Sequence, residues 1–230
     1  LFGAVLFGSL VLIPPFLQKQ GGYSLIDSAW ILAPRGLGSM FGAMWVGRLI
    51  TVVDPRKVMV TGMGVTAYTM YLFSTFTSDI DITTVTIICF LQGLAFSSFD
   101  IPVNTVAFST LSNERRDLGT SFYSLLNNIG RSLGIALLVT YFAYQAQAQR
   151  AILRENITPF SEPGRHGLMP EAWAIDTPSG LLALNRLVNN HAELIAYIID
   201  FRALAAVIVC CIPVILIMNN PHNKPATAPA

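Results

Sequence analysis

The chain has 230 residues, of which 53% are hydrophobic and only 12% are charged, whereas a soluble domain usually carries about 25% charged residues. The formal net charge of +1 gives no reason to expect a nucleic-acid partner. Cys89, Cys210 and Cys211 all lie within apolar runs, so we interpret them as small buried hydrophobic residues rather than disulfides or metal ligands. Composition therefore excludes an ordinary soluble domain and favours a membrane protein.

Long apolar runs alternate with short charged clusters, and about 20 apolar residues are enough to span a bilayer as a helix. This pattern predicts six membrane helices, at residues 1–18, 28–52, 57–76, 82–109, 119–144 and 195–218. The predicted fold class is an all-α membrane protein, a six-transmembrane-helix bundle. The first residue is already apolar and no signal-peptide pattern follows, so we expect the chain to be a piece of a longer protein.

The stretch 145–194 differs from the other connections because it is long and rich in proline. Its last part repeats apolar residues at helical intervals, which indicates an amphipathic helix. That helix would either lie at the membrane surface and lead into the last span or pack on the extramembrane face of the bundle. The predicted organisation is five transmembrane helices at 1–144, a long external loop with an amphipathic helix at 145–194, the last helix at 195–218 and a tail at 219–230.

Basic residues in short loops mark the cytoplasmic side of a membrane protein. They occur in the second connection, the fourth connection and the tail, at Arg48, Arg56, Lys57, Arg115, Arg116 and Lys224. The opposite short loops hold Lys19 against three acidic residues, Asp27, Asp79 and Asp81. We therefore expect both termini in the cytoplasm and the long 145–194 loop outside.

Five stretches carry a resemblance to a known family: LAPRGLGSMFGAMWVGRL (32–49), DPRK (54–57), LQGLAFSSFDIPVNTVAFSTL (91–111), GTSFYSLLNNIGRSLGIALL (119–138) and LIAYIIDFRALA (194–205). Together they resemble the C-terminal half of a major facilitator superfamily transporter, and most closely the fourteen-helix drug:proton antiporters of the EmrB/QacA type. The resemblance covers nearly all six spans. It implies two inverted three-helix repeats and a proton-driven exporter of small, often amphipathic, drug-like compounds.

The resemblance also implies the surroundings of the protein. It implies that the protein lies in the lipid bilayer of the bacterial inner membrane and works together with a missing N-terminal half. It also implies that a proton gradient, rather than a bound cofactor, supplies the energy. A periplasmic adaptor protein is a further expected partner. The loop after the second span is similar to a weakened copy of the superfamily's cytoplasmic signature, in which Gly47, Arg56 and Lys57 fit as gating residues while Thr51 and Val52 depart from it.

Three charged residues are predicted within the membrane, Asp100, Arg131 and Arg35. A lone charge at that depth costs several kcal/mol, so it must face a wet cavity, find a partner or bind a proton. Asp100 lies about 15 Å from the inner end of its span and Arg131 about 18 Å, by the rise of a helix. Their matched depths and opposite charges predict an Asp100–Arg131 pair, which is either a static link between helices or a proton- or drug-coupled switch.

Further polar residues share these spans. Asn104 lies one turn after Asp100, and Asn127 and Asn128 lie about one turn before Arg131, so all three are candidate substrate contacts. Arg35 either snorkels outward or faces the cleft between the two halves. The repeats RGLG at 35–38 and RSLG at 131–134 stand at equivalent positions of the two predicted repeats. Gly38, Gly42, Gly130 and Gly134 permit close helix contact, and Asp200 and Arg202 are interpreted as interfacial anchors.

No nucleophile–base pair, phosphate-cradling glycine loop or metal-ligand spacing occurs in the sequence, so the protein is not expected to be an enzyme or to hold a metal. The alternative to half of an exporter is a truncated or non-transporting membrane module that serves in assembly or interaction.

Overall fold

The computed structural model of the protein describes residues 2–76, 81–108, 116–155 and 178–217, which form six α-helices. They are α1 (Phe2–Lys19), α2 (Leu25–Leu49), α3 (Pro55–Phe73), α4 (Ile82–Phe108), α5 (Arg116–Glu155) and α6 (Pro178–Ile217). No strand occurs within these ranges, and the all-α prediction is confirmed. The predicted tail at 219–230, the middle of the predicted loop at 156–177 and Arg115 lie outside the described residues.

Local signals in the sequence explain where three of the helices begin. Ser24 caps α2, where its hydroxyl accepts a hydrogen bond from the Asp27 amide at 3.1 Å. Pro55 occupies the first turn of α3, where a missing backbone N–H costs nothing. Asp81 caps α4 by accepting hydrogen bonds from Thr84, and the hydroxyl and amide of Thr84 hold the pKa of Asp81 below its ordinary value.

The last two helices are much longer than predicted. α5 continues past residue 144 to Glu155, and α6 begins at Pro178, so the amphipathic segment and the last span form one unbroken helix of 40 residues. The segment QAQAQRAILRE at 145–155 holds no glycine or proline and is rich in strong helix formers, which explains why α5 does not stop. Both helices therefore continue beyond the predicted span limits at 144 and 195, and the limits of the spans themselves stay a prediction.

The two extensions pack against each other at one end of the bundle. Arg150 donates to Glu193 at 2.9 Å, and Arg154 donates to Asn185 at 3.2 Å. Glu193 also accepts a hydrogen bond from Lys19, at the end of α1, at 2.9 Å. The amphipathic segment is thus paired with another helix, which corresponds to the packed alternative rather than to a helix lying alone on the membrane.

Helix pairing in the bundle follows an internal symmetry. α2 packs on α4 as α1 packs on α5, α3 packs on α4 as α1 packs on α6, and α3 packs on α6. Exchanging α1 with α4, α2 with α5 and α3 with α6 maps these five contacts onto themselves, whereas the α5–α6 and α1–α2 contacts have no equally extensive counterparts among the described residues. Because each repeat has three helices, the second repeat runs in the opposite direction to the first. These five contacts agree with the predicted inverted three-helix repeats.

An aromatic cluster joins α1, α3 and α6. The Phe201 ring lies 5.6 Å from that of Phe16 and 5.3 Å from that of Phe73, centroid to centroid, and all three side chains are buried. α5 contrasts with this core, since only 6% of the residues in its apolar window are buried, against 39% in α4. The bundle therefore leaves one face of α5 for lipid or for another protein surface.

Glycines let α2 and α4 approach to backbone contact. A Cβ on Gly38 would meet the carbonyl oxygen of Phe90, and one on Gly42 would lie 3.1 Å from the carbonyl oxygen of Leu94. The Ser97 hydroxyl donates across the same crossing to the Ser39 carbonyl at 2.6 Å. The predicted close contact is confirmed for Gly38 and Gly42 but is wrong for Gly130, around which a Cβ would meet no atom within 4 Å.

Within the described residues, three helical stretches are long and apolar enough to cross a membrane by length and composition. They are Ile82–Val106 in α4, Leu118–Glu155 in α5 and Pro178–Leu216 in α6.

Candidate functional site

Arg35 is turned into the bundle from α2. Arg35 is only 9% exposed, and its Nη2 donates a hydrogen bond to the Ser9 hydroxyl of α1 at 3.3 Å. Its Nη1 is buried and has no hydrogen-bond partner among the described residues. Arg35 therefore does not snorkel outward but is buried against α1, and its predicted position in the cleft between the two halves stays a prediction.

A cavity of about 290 Å³ lies between α1, α2 and α4, and Arg35 forms part of its wall. Most of the remaining wall is apolar, with Phe7 and Leu10 from α1, Leu32 from α2 and Phe96 from α4. Gly36 of α2 and Gly93 of α4 also line it. The Arg35 guanidinium thus lies in the wall of a largely apolar cavity.

Arg131 approaches the same region from α5. Its guanidinium carbon lies 4.1 Å from the centroid of the Phe7 ring, in a cation–π arrangement. Phe7 therefore lines the Arg35 cavity and also contacts the Arg131 guanidinium. The two RxLG stretches predicted to be equivalent accordingly both bring an arginine to the neighbourhood of one α1 residue.

Asp100 makes its hydrogen bonds within its own helix. The side-chain amide of Asn104 donates to the Asp100 carboxylate at 3.2 Å and to the Asp100 carbonyl at 2.8 Å. Arg131 and the Tyr123 hydroxyl are near enough to interact electrostatically with Asp100. Asp100 and Arg131 nevertheless form no ion pair within 4.0 Å in this conformation, so the predicted direct pair is not observed.

The direct pair fails for a geometric reason. Equal depth places two residues in one layer of the membrane but leaves the rotation of each helix open. The rotation of α5 puts Arg131 over Phe7, while the nearest partner of Asp100 is the amide one turn along α4.

The other predicted site residues are placed as follows. Asn127 is half-buried and Asn128 is exposed, and neither lines the Arg35 cavity. Gly47, Arg56 and Lys57 surround the turn between α2 and α3, where Gly47 and Lys57 are exposed and Arg56 is half-buried. Gly47 lies twelve residues from Arg35, or about 18 Å along the helix, so this turn is separate from the cavity.

Asp200 is the functional candidate that sequence reasoning missed. It is 0% exposed, and neither carboxylate oxygen has a hydrogen-bond partner in the described part of the chain. The interpretation of Asp200 as an interfacial anchor is therefore wrong, whereas Arg202 is exposed as an anchor would be. The signal was present in the sequence, because Asp200 shares a helix face with Tyr197, Phe201 and Leu204, which pack into the core.

Gln92 is a second buried polar residue of this kind. It lies on α4, is 0% exposed, and both polar atoms of its side-chain amide have no partner among the residues that the structure describes.

Inverted three-helix repeats, and a cavity whose wall holds a buried charge, define a helical bundle of the membrane-transporter class. The sequence model of the Major Facilitator Superfamily matches residues 1–152 of the 230, and the chain belongs to this superfamily. Membership confirms the predicted family and places the chain among transport proteins rather than enzymes.

Individual relatives are similar at low identity. The chain is 24% identical over 224 residues to the fatty acid resistance protein FarB of Neisseria gonorrhoeae, a match that covers 96% of this chain and 44% of the relative. It is 26% identical over 156 residues to the multidrug export protein EmrB of Escherichia coli, covering 67% of the chain and 30% of that protein. It is 25% identical over 214 residues to the multidrug resistance protein B homolog of Mycobacterium tuberculosis, covering 89% and 38%. The chain thus spans less than half of the length of each of these relatives.

Proposed function

We propose that this chain is the C-terminal half of a proton-coupled exporter of small amphipathic compounds. One observation carries the proposal: the six-helix bundle has charged residues within it, with Arg35 and Asp200 buried and Asp100 half-buried. Such residues within a membrane mark substrate or ion pathways. The names of the relatives, multidrug export for one and fatty acid resistance for another, support the same kind of substrate.

The missing N-terminal half is part of the proposal. α5 exposes large apolar side chains together with Asn128, a mixed surface that suits a second bundle better than pure lipid. Transport in which two bundles rock about a central site needs both bundles. The chain alone is therefore expected to insert into a membrane but not to transport.

Proton coupling is assigned to the carboxylates of Asp100 and Asp200. Among the described residues, the Asp100 carboxylate accepts a hydrogen bond only from the Asn104 amide and has Arg131 in electrostatic range without an ion pair, whereas the Asp200 carboxylate accepts no hydrogen bond. A carboxylate that forms no ion pair in a membrane is stable when it carries a proton, and it can lose that proton when a conformational change exposes it to water. This arrangement links proton release to the opening of the bundle.

The location and partners follow from the same proposal. We place the protein in the bacterial inner membrane with both termini in the cytoplasm, so that the paired ends of α5 and α6 lie outside. Those paired ends would then be the surface available to a periplasmic adaptor. Single cysteines at the exposed positions Leu25 and Val52, in a background without Cys89, Cys210 and Cys211, should be labelled by an impermeant reagent from opposite faces. Labelling from one face would contradict this orientation.

The deciding experiment is transport by the product of the complete reading frame that contains this chain. Proteoliposomes with an acidic lumen should accumulate labelled amphipathic compounds in exchange for protons. Asp100→Asn and Asp200→Asn should each reduce this accumulation while leaving compound binding in place, and Asp81→Asn, at an exposed position, serves as the matched control. If both interior variants keep full pH-driven accumulation, the coupling assignment is wrong. If the complete protein moves no compound, the non-transporting module is the better description.

A further inference from the structure

The buried guanidinium of Arg35 forms no ion pair with any residue that the structure describes. Its only hydrogen bond among those residues is the one to the neutral Ser9 hydroxyl, and its Nη1 has no partner there. Its electrostatic neighbour Cys89 is a buried thiol. A buried charge is ordinarily paired, because burial removes the water that would otherwise stabilise it. The described part of the chain therefore leaves the positive charge of Arg35 without a carboxylate partner.

The cavity beside Arg35 is suited to an apolar group. Phe7, Leu10, Leu32 and Phe96 supply most of its wall, and its volume is about 290 Å³. Small-molecule sites usually measure about 300–1,000 Å³ and combine apolar walls with a few polar groups that fix orientation. This cavity lies at the lower end of that range, which suits one head group and part of a single chain rather than a large ring system.

Arg131 lies outside the cavity lining, over the ring of the lining residue Phe7. Arg35 is therefore the one charged side chain among the described residues of the wall. A cationic ligand would be repelled by it, and this repulsion would discriminate between ligands by charge.

We propose that the Arg35 cavity is a binding site for amphipathic anions, in which Arg35 binds a single negatively charged head group and the apolar wall binds the first part of the chain attached to it. This inference rests on the proposed function, since it names the substrate class of the exporter. The shared chemistry, one negative charge on an apolar chain, belongs both to free surfactant-like compounds and to anionic lipids.

The test compares two ligands that differ only in the sign of a permanent charge. Decanesulfonate and decyltrimethylammonium have the same chain length, and neither changes its charge with pH. Binding is measured by equilibrium dialysis to the complete protein in nanodiscs of phosphatidylcholine, with empty nanodiscs subtracted. Decanesulfonate should bind at least about 10-fold more tightly than decyltrimethylammonium, a ratio typical of one hydrogen-bonded charge.

Four variants locate the binding. Arg35→Gln should weaken decanesulfonate binding about 10- to 100-fold, as expected for the loss of a charged hydrogen bond. Arg35→Lys should keep part of the affinity, and Arg202→Gln, which alters an exposed arginine, should change nothing. Gly36→Leu is the variant that keeps the charge: Gly36 lines the cavity, and a Cβ there meets no atom within 4 Å, so leucine should fill the space without disturbing the fold. It should also weaken binding.

A further arm separates the two sources of the ligand. In nanodiscs that contain phosphatidylglycerol, weaker decanesulfonate binding by the wild type but not by Gly36→Leu would identify an anionic lipid as an occupant of the same site. Unchanged binding would identify free compounds as the ligands. Both outcomes support an anion site at Arg35.

Two results would overturn the proposal: equal affinity for both ligands, or an affinity for decanesulfonate that neither Arg35→Gln nor Gly36→Leu changes. The outcome is distinct from that of the transport experiment. Arg35-dependent binding without pH-driven transport would leave the site standing and refute the exporter. Transport of decyltrimethylammonium without decanesulfonate binding would do the reverse.

Discussion

The guanidinium of Arg131 lies over the ring of Phe7, with 4.1 Å between the guanidinium carbon and the ring centroid. Phe7 belongs to α1 and also lines the cavity that holds Arg35. One aromatic side chain thus connects a charge on α5 to a site built by α1, α2 and α4. Movement of α5 against α1 would change both the Arg131 contact and the shape of the cavity.

The first prediction concerns this contact. Phe7→Leu and Arg131→Gln should each lower the thermal stability of the complete protein in detergent, and the double variant should lose less than the sum. The expected coupling is about 0.5–2 kcal/mol, the range of cation–π pairs from exposed to desolvated positions. The Arg202→Gln variant provides the comparison, since an exposed arginine should show no coupling to Phe7. Additive losses for Phe7 and Arg131 would mean that the contact contributes nothing.

A second cycle addresses Asp100 and Arg131. Because they form no direct ion pair here, the coupling between Asp100→Asn and Arg131→Gln should be well below the roughly 3–5 kcal/mol typical when a buried pair loses one member. Asp100 should instead couple to Asn104, whose amide donates to its carboxylate at 3.2 Å. A strong coupling between Asp100 and Arg131 in stability would show that the pair forms in another conformation that the protein populates.

The sequence was sufficient for features that depend on local chemistry. The predicted fourth span, 82–109, agrees with Ile82–Phe108 because Asp81 caps its first turn and the apolar run that follows is continuous. Gly38 and Gly42 were correctly assigned to helix contact, since small residues one turn apart favour a close crossing. The internal repeat of arginines was also visible as RGLG and RSLG.

Features that depend on helix rotation could not be predicted in the same way. Depth along a helix follows from counting residues, but each residue also turns by about 100°, and the packing of all six helices decides which face meets which neighbour. The Asp100–Arg131 hypothesis used depth alone, and the structure brings the two side chains into electrostatic range without a direct ion pair. The continuity of α6 was difficult to predict for another reason. A change from amphipathic to fully apolar sequence marks the boundary between two solvents, and a helix can continue across that boundary.

The next prediction tests the close packing of α3 on α4. Gly62 and Gly64 lie two residues apart on α3, but a Cβ on Gly62 would lie 2.8 Å from the Ser98 Cβ and 3.0 Å from the Ala95 carbonyl oxygen, whereas one on Gly64 would meet nothing within 4 Å. Gly62→Val should therefore lower stability by about 1–3 kcal/mol through overpacking. Gly64→Val carries the same change in helix propensity without the clash, so the difference between their melting temperatures isolates the packing effect. Equal melting temperatures would contradict the observed contact.

The Asp81 cap gives a prediction with a pH dependence. Its carboxylate accepts hydrogen bonds from the Thr84 hydroxyl at 2.7 Å and from the Thr84 amide at 2.9 Å, and these bonds lower the pKa of Asp81. A pKa that is lower in the folded state means that the ionised cap stabilises the protein above the unfolded-state pKa, and that this stabilisation is lost as the pH falls through the folded-state pKa. Wild type should thus be more stable than Asp81→Ala at pH 7. That difference should narrow in acid.

Thermal unfolding of both proteins at pH 7 and at pH 3 measures the change. Asp27→Ala, which removes a first-turn carboxylate from α2, is the control for general effects of acid on helix starts. A difference between wild type and Asp81→Ala that grows in acid would show that the neutral form of Asp81 is the better cap.

The last prediction concerns Glu193 of α6, which forms ion pairs with α1 and α5 at one end of the bundle. Its two carboxylate oxygens accept separate bonds, one from Lys19 and one from Arg150, each at 2.9 Å. Both cations are partly exposed, so each pair should contribute only about 0.2–1 kcal/mol, and salt should weaken both. Glu193→Gln should therefore accelerate hydrogen exchange in 145–155 and 178–193 more than Lys19→Gln or Arg150→Gln does alone. In about 1 M salt, where the screening length falls to about 3 Å, the three variants and the wild type should exchange at similar rates.

Arg154→Gln is the control, because Arg154 bonds to the neutral Asn185 and its effect should not depend on salt. If Glu193→Gln leaves exchange in both segments unchanged at low salt, the paired ends of α5 and α6 are held by their apolar contacts alone.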